Sequence, residues 1–158
     1  MSAILTVVWA ASAAPVWAQK YSGPRPPKPD VLYLVHADTL VSTEVTEAKQ
    51  ETKKSDITYT IAGVSSPART PLAEPIFIIE SDKLQPSTFE LYKMEVKSGH
   101  REVTMALRRT RGGSKPLRLS VTRLDRGMYR VECDQEIENG QYAISPNGSN
   151  TVFCFEVY

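Results

Sequence analysis

Residues Leu117–Cys133 read LRLSVTRLDRGMYRVEC. Leu117, Leu119 and Val121 alternate with Arg118, Ser120 and Thr122, and Tyr129, Val131 and Cys133 alternate with Arg130 and Glu132. A period of two places each apolar set on one face of a strand that buries a single side. Between the two runs stand only Asp125, Arg126 and Gly127. A parallel crossover needs about a dozen residues or more, so this short turn predicts an antiparallel hairpin.

The same grammar extends outward in both directions. Strands are predicted over Val31–Val35, Ile57–Ile61, Ile76–Glu80, Phe89–Lys97, Arg101–Arg108, Leu117–Leu124, Met128–Cys133, Gln141–Ser145 and Thr151–Val157. Val103, Met105 and Leu107 oppose Glu102, Thr104 and Arg108. Further tight connections, Lys97-Ser98-Gly99-His100 and Asn147-Gly148-Ser149-Asn150, again dictate antiparallel neighbours. The fold class is therefore all-β, an antiparallel meander or Greek key forming a β-sandwich. Ser42–Ser55 (STEVTEAKQETKKS) is the one stretch with helical potential, but Val45 is its only strong apolar residue. A helix there would be polar all round, and an extended solvent-facing segment satisfies the pattern equally. Ala62–Pro75 carries three prolines and no period. It reads either as a binding surface or as the crossover between sheets that a Greek key requires.

Composition bounds the rest. The chain has 158 residues, of which 41% are hydrophobic, with 19 Lys and Arg against 18 Asp and Glu. That suits one domain with its own core, and a net charge of +1 supplies no global field for nucleic acid or anionic lipid. Two His and two Cys without a CxxC spacing are too few for a zinc site of those residues alone.

Met1–Gln19 holds no charged side chain, and Ala3–Ala14 is apolar except for Thr6 and Ser12. A membrane helix needs about 20 apolar residues, whereas a secretory core needs roughly 7–15 followed by small residues at a cleavage site. Val16-Trp17-Ala18 supplies that site, so residues 1–18 are expected to be a signal peptide, leaving no transmembrane span in the mature chain. Residues 19–29 (QKYSGPRPPKP) form a Pro-rich linker, an extended and solvated N-terminal extension, and residues 30–158 the single β-sandwich domain. The expected location is exported, whether periplasmic, cell-surface or extracellular.

Leu124–Tyr129 and Ile137–Tyr142 share the pattern apolar-x-x-Gly-x-Tyr. Gly allows the positive φ of a turn and the Tyr can bond the upstream backbone, the logic of the tyrosine corner, with Tyr129 and Tyr142 as candidates. Over Leu117–Tyr158 the chain resembles small, uncharacterised exported bacterial proteins with an immunoglobulin-like β-sandwich. The resemblance implies an immunoglobulin-like architecture and carries no catalytic residue with it.

Candidate chemistry is sparse. His36 lies near Asp38 at a strand end, a pairing that would suit a base, but no nucleophile is fixed beside it. His100 falls in a polar turn. Arg108, Arg109, Arg111, Lys115 and Arg118 surround Gly112-Gly113 without an acid, a candidate anion-binding loop that reads equally as a solvated hairpin tip. Cys133 and Cys154 are a candidate disulfide. Export favours the bond, and closing a loop of about 22 residues would restrict the unfolded chain by roughly 3 kcal/mol. Strand parity opposes it, because Cys154 shares a face with Val152 and not with Phe153, Phe155 and Val157.

These features together predict an exported β-sandwich binding module that recognises a protein or carbohydrate partner in the cell envelope. No enzyme activity, cofactor, metal or nucleic acid is implied. A structural subunit of an envelope assembly is the alternative, and a hydrolase built on His36 the least favoured.

Overall fold

The computed structural model describes residues 21–106 and 113–158. Among them the fold is all-β, with thirteen strands and one short 3-10 turn at Pro86–Thr88. The strands are β1 (Leu32–His36), β2 (Thr39–Ser42), β3 (Glu44–Glu47), β4 (Lys49–Lys53), β5 (Asp56–Ala62), β6 (Arg69–Thr70) and β7 (Ile76–Glu80). They continue with β8 (Phe89–Lys97), β9 (His100–Ala106), β10 (Leu119–Asp125), β11 (Met128–Cys133), β12 (Gly140–Pro146) and β13 (Thr151–Val157). No helix among the described residues is long and apolar enough to cross a membrane.

A smaller sheet has the order β10-β11-β7-β1-β2. It packs against the β8, β12 and β13 part of a larger sheet, ordered β3-β13-β12-β8-β9-β5-β4. Both sheets are antiparallel except where β6 runs parallel to β13 over two residues. Leu32, Leu34, Phe77, Ile79 and Val131 come from the smaller sheet, and Leu91, Tyr142, Ile144, Phe153 and Phe155 from the larger, to form the sandwich core. Phe155 ties the two layers together: its ring meets Phe77 edge-on at 4.9 Å and stacks on Tyr142 at 5.5 Å.

The stretch Ser42–Ser55 is extended, not helical, and it decides the shape of the larger sheet. β3 and β4 stand at opposite ends of the strand order yet are consecutive in sequence, separated only by buried Ala48. One bent strand thus pairs with β13 through its first half and with β5 through its second. Strand β8 makes the opposite corner, pairing with β12 over Phe89–Met94 and with β9 over Glu95–Lys97. Strands that serve two sheets at a corner close a sheet on itself. The result is a small barrel of six walls, with β3 and β4 counted as one. Where β9 diverges from β8, the returning chain fills the gap: Ser114 N–H donates to Thr104 O at 2.9 Å and Leu117 N–H to Leu91 O at 2.8 Å. Gly113 permits that return, because a Cβ there would lie 2.5 Å from the Ala106 nitrogen.

The barrel walls explain the double-sided pattern of the central strands. On β8, Phe89 and Leu91 face the sandwich core while Tyr92 and Met94 face the barrel. On β13, Phe153, Phe155 and Val157 face the sandwich core while Val152 and Cys154 face the barrel. Cys133, on β11, belongs to the sandwich core. Both thiols are free and buried, so the candidate bridge gives way to two separated thiols, one on each side of the β13 wall.

Burial pushes both thiols up to about 12. The native fold then retains two protons that the unfolded chain releases near the ordinary thiol value. Their stabilising effect is complete below pH 9 and is lost as pH rises towards 12. Urea unfolding at a series of alkaline pH values is expected to show stability falling over that range, and less steeply in a variant with both cysteines replaced by Ala. A thiol reagent at pH 8 is expected to modify neither cysteine until denaturant is added.

Of the two tyrosine-corner candidates, Tyr142 bonds the upstream backbone and, among the described residues, Tyr129 does not. Tyr142 donates its hydroxyl to Glu138 O at 2.7 Å, just after the chain has crossed from the smaller sheet to the larger. Gly140 precedes it with φ +155°. Tyr129 makes no such bond among the described residues. It follows a hairpin within one sheet, where there is no corner to brace, and its ring packs on the sandwich core.

Candidate functional site

The inward faces of the barrel strands carry their own apolar cluster: Ala48, Ile61, Tyr92, Met94, Val103, Ala143, Val152 and Cys154, with Tyr59 and Met105 partly buried against it. In a barrel of so few strands these side chains fill the interior from one end. That end is closed by Arg101. Its guanidinium reaches Glu44 through two hydrogen bonds of 2.7 and 2.9 Å, and donates to Gly63 O at 3.1 Å and Ala62 O at 2.8 Å. The Arg101 side chain is 1% exposed and that of Glu44 23%, and the pair joins β9 to β3 across the barrel with four of the five guanidinium N–H donors engaged. Gln141 and Ser66 continue the seal: Ser66 N–H donates to Gln141 Oε1 at 2.9 Å, and Ser66 Oγ donates to Cys154 O at 3.1 Å.

The other end is open. There the walls enclose a cup of about 320 Å³. Ile61, Met94, Val103, Ala143 and Val152 line its apolar depth, Tyr59, Tyr92 and Met105 its sides, and Gln50, Glu90, Ser145, Asn147, Ser149 and Asn150 its polar rim. The rim is built by the turn after β12, whose length the backbone fixes: Ser149 N–H donates to Pro146 O at 3.1 Å, and Ala48 N–H to Asn150 O at 2.8 Å. Glu90 stands two residues from Tyr92 on the same face of β8, and the Tyr92 hydroxyl donates to Glu90 Oε2 at 2.7 Å. Burial and this carboxylate together push the Tyr92 hydroxyl well above its ordinary value. It is a fixed donor, and it aims the carboxylate.

The residues singled out in the sequence lie elsewhere. Arg108, Arg109 and Arg111 of the candidate anion-binding loop are outside the described residues, as are the expected signal segment 1–18 and the first two linker residues. Lys115 and Arg118 are exposed. His100 opens β9, with Nε2 3.0 Å from Glu102 Oε2, and its turn position is thereby replaced by a strand one. His36 ends β1, its Nε2 buried without a hydrogen-bond partner among the described residues, while Asp38 is exposed. Within residues 21–29, Arg25 pairs with Asp125. Ala62–Pro75 is the crossover from barrel to smaller sheet, and Ser66, Ala68 and Thr70 bury alternate positions along it.

None of the cup residues was singled out as a site residue in the sequence, since Tyr59, Tyr92, Met94 and Met105 sit on three strands whose convergence only the topology reveals. The available signal was the two-sided apolar pattern of Phe89–Met94 and Thr151–Val157. Comparison with protein-family models, with curated proteins and with solved structures finds no match for the chain.

Proposed function

We propose that the protein is an exported binding module of the cell envelope and that the barrel mouth receives its ligand. The observation that carries this reading is the cup itself: an apolar depth of about 320 Å³ with a polar rim, at the mouth of a barrel whose far end is sealed. Ligand sites concentrate in such mouths and combine apolar lining with a few placed polar groups. Export rests on the grammar of residues 1–18, and the immunoglobulin-like character of the sandwich on the corner at Tyr142. The ligand is small and amphipathic, its apolar part inside. A sugar ring would find Tyr59 and Tyr92 to stack on, but hydroxyls pushed against Met94, Val103 and Ile61 would lose their hydrogen bonds at a cost of about 1–3 kcal/mol each.

The test is titration of an apolar fluorescent reporter, N-phenyl-1-naphthylamine, with soluble glycans as competitors. Enhanced emission that disappears in Ala143→Leu, which fills the cup, and in Met105→Trp, which covers it, is the expected result. Equal emission from all three folded proteins would remove the reading.

One observation favours a protein partner as a second reading. Among the described residues strand β10 (Leu119–Asp125) stands last in the smaller sheet, and an edge strand is a place where a partner can add a strand of its own. A partner bound in that way would be insensitive to both cup variants.

A further inference from the structure

Among the described residues that line the cup, Glu90 is the only one with a charged side chain. Among the described residues no Lys or Arg belongs to the lining; Arg118, next to the Leu117 that bridges Leu91, stands across from Glu90 but is exposed and makes no ion pair with it. Its Oε2 accepts the Tyr92 hydroxyl at 2.7 Å, and Oε1 has no hydrogen-bond partner among the described residues. The carboxylate is half-buried, held at the point where the apolar depth meets the rim. Below it lie the Tyr92 ring and Met94, both buried, and the half-buried Tyr59 and Met105 line the same cup.

Such a combination has a definite chemical complement. A carboxylate with one free oxygen attracts a donor of opposite charge, and charge-assisted hydrogen bonds are roughly twice as strong as neutral ones. Tyrosine faces attract cations through the ring quadrupole, and thioethers pack against aromatic and alkyl groups alike. Anions meet the reverse: they would face the carboxylate in a partly desolvated space, where like charge is costly. From these features we infer that the cup selects small organic cations, an ammonium group on an apolar body of about one ring, with the ammonium on Glu90 and the body on Ala143, Met94 and Val103. This inference rests on the reading of the mouth as a ligand site and adds the charge of the ligand.

Three probes of nearly one shape test it by calorimetric titration of the full chain: 2-phenylethylammonium, 2-phenylethanol and 3-phenylpropionate. The ammonium is expected to bind about tenfold more tightly than the alcohol, and the carboxylate more weakly than either. Glu90→Gln keeps an acceptor for Tyr92 and is expected to bring the ammonium down to the affinity of the alcohol. Equal affinities for the ammonium and alcohol, or a preference that survives Glu90→Gln, would overturn the inference while leaving the mouth as a site. Loss of both neutral and cationic probes in Ala143→Leu is the control that belongs to the site itself. If the probes bind unchanged in Ala143→Leu and Met105→Trp, the site reading fails together with the inference.

Discussion

Glu44→Ala is expected to lower the free energy of unfolding by about 3–5 kcal/mol. The loss comes mainly from what stays behind. Arg101 is 1% exposed on its side chain and would keep its charge, with only the Ala62 and Gly63 carbonyls to accept its donors. Removing one member of a buried pair leaves an uncompensated charge, which costs more than the pair itself contributes. Two features separate this from an ordinary surface effect. The penalty is expected to change little with salt, because a desolvated pair is poorly screened. The double variant Glu44→Ala with Arg101→Met is expected to recover much of the loss, since a thioether leaves no charge to solvate. Urea unfolding of the parent, Glu44→Ala, Arg101→Met and the double variant, at low and high salt, measures both. A cost below about 1 kcal/mol for Glu44→Ala, the range of an exposed pair, would show that the far end of the barrel is wet.

Phe155→Ala is expected to cost a similar 3–5 kcal/mol by a different route. Its ring is fully buried and lies against Phe77 of one sheet and Tyr142 of the other, so truncation opens a void between layers that neither can fill by moving alone. The effect should be specific to the sandwich core. Leu72→Ala, at an apolar side chain 46% exposed on the crossover, is expected to stay within about 0.5 kcal/mol of the parent protein. Thermal unfolding of the two variants side by side decides this, and comparable losses at both positions would contradict the assignment of the core.

The sequence made the strands legible wherever one face was apolar and a tight turn fixed direction. Ile76–Glu80, Phe89–Lys97, Met128–Cys133 and Thr151–Val157 occupy their expected ranges. Parity along Thr151–Val157 already separated Cys154 from the large aromatic set, and that separation is what the barrel wall enforces. What stayed hidden was polar. Glu44–Lys53 carries one buried residue, Ala48, because the strand turns most of its side chains to solvent while it closes the barrel mainly by backbone pairing. Backbone hydrogen bonds leave no mark in a pattern of side chains. Arg101 was equally unreadable. A charged residue in an alternating strand reads as solvent-facing, yet here it shares the inward face with Val103 and Met105, since Glu44 and two carbonyls satisfy it there. The cup inherits both difficulties, because its walls meet only once the polar strand has closed the circle.

The central claim is that the larger sheet closes into a barrel whose open mouth takes a ligand. Methyl NMR of the full chain titrated with 2-phenylethylammonium tests it most directly. Shifts are expected at Met94, Val103, Met105, Ala143 and Val152, which come from four different strands and share nothing but the cup. Shifts confined to Leu119 and Val121 of the β10 strand, or a spectrum unchanged at saturating probe, would contradict it.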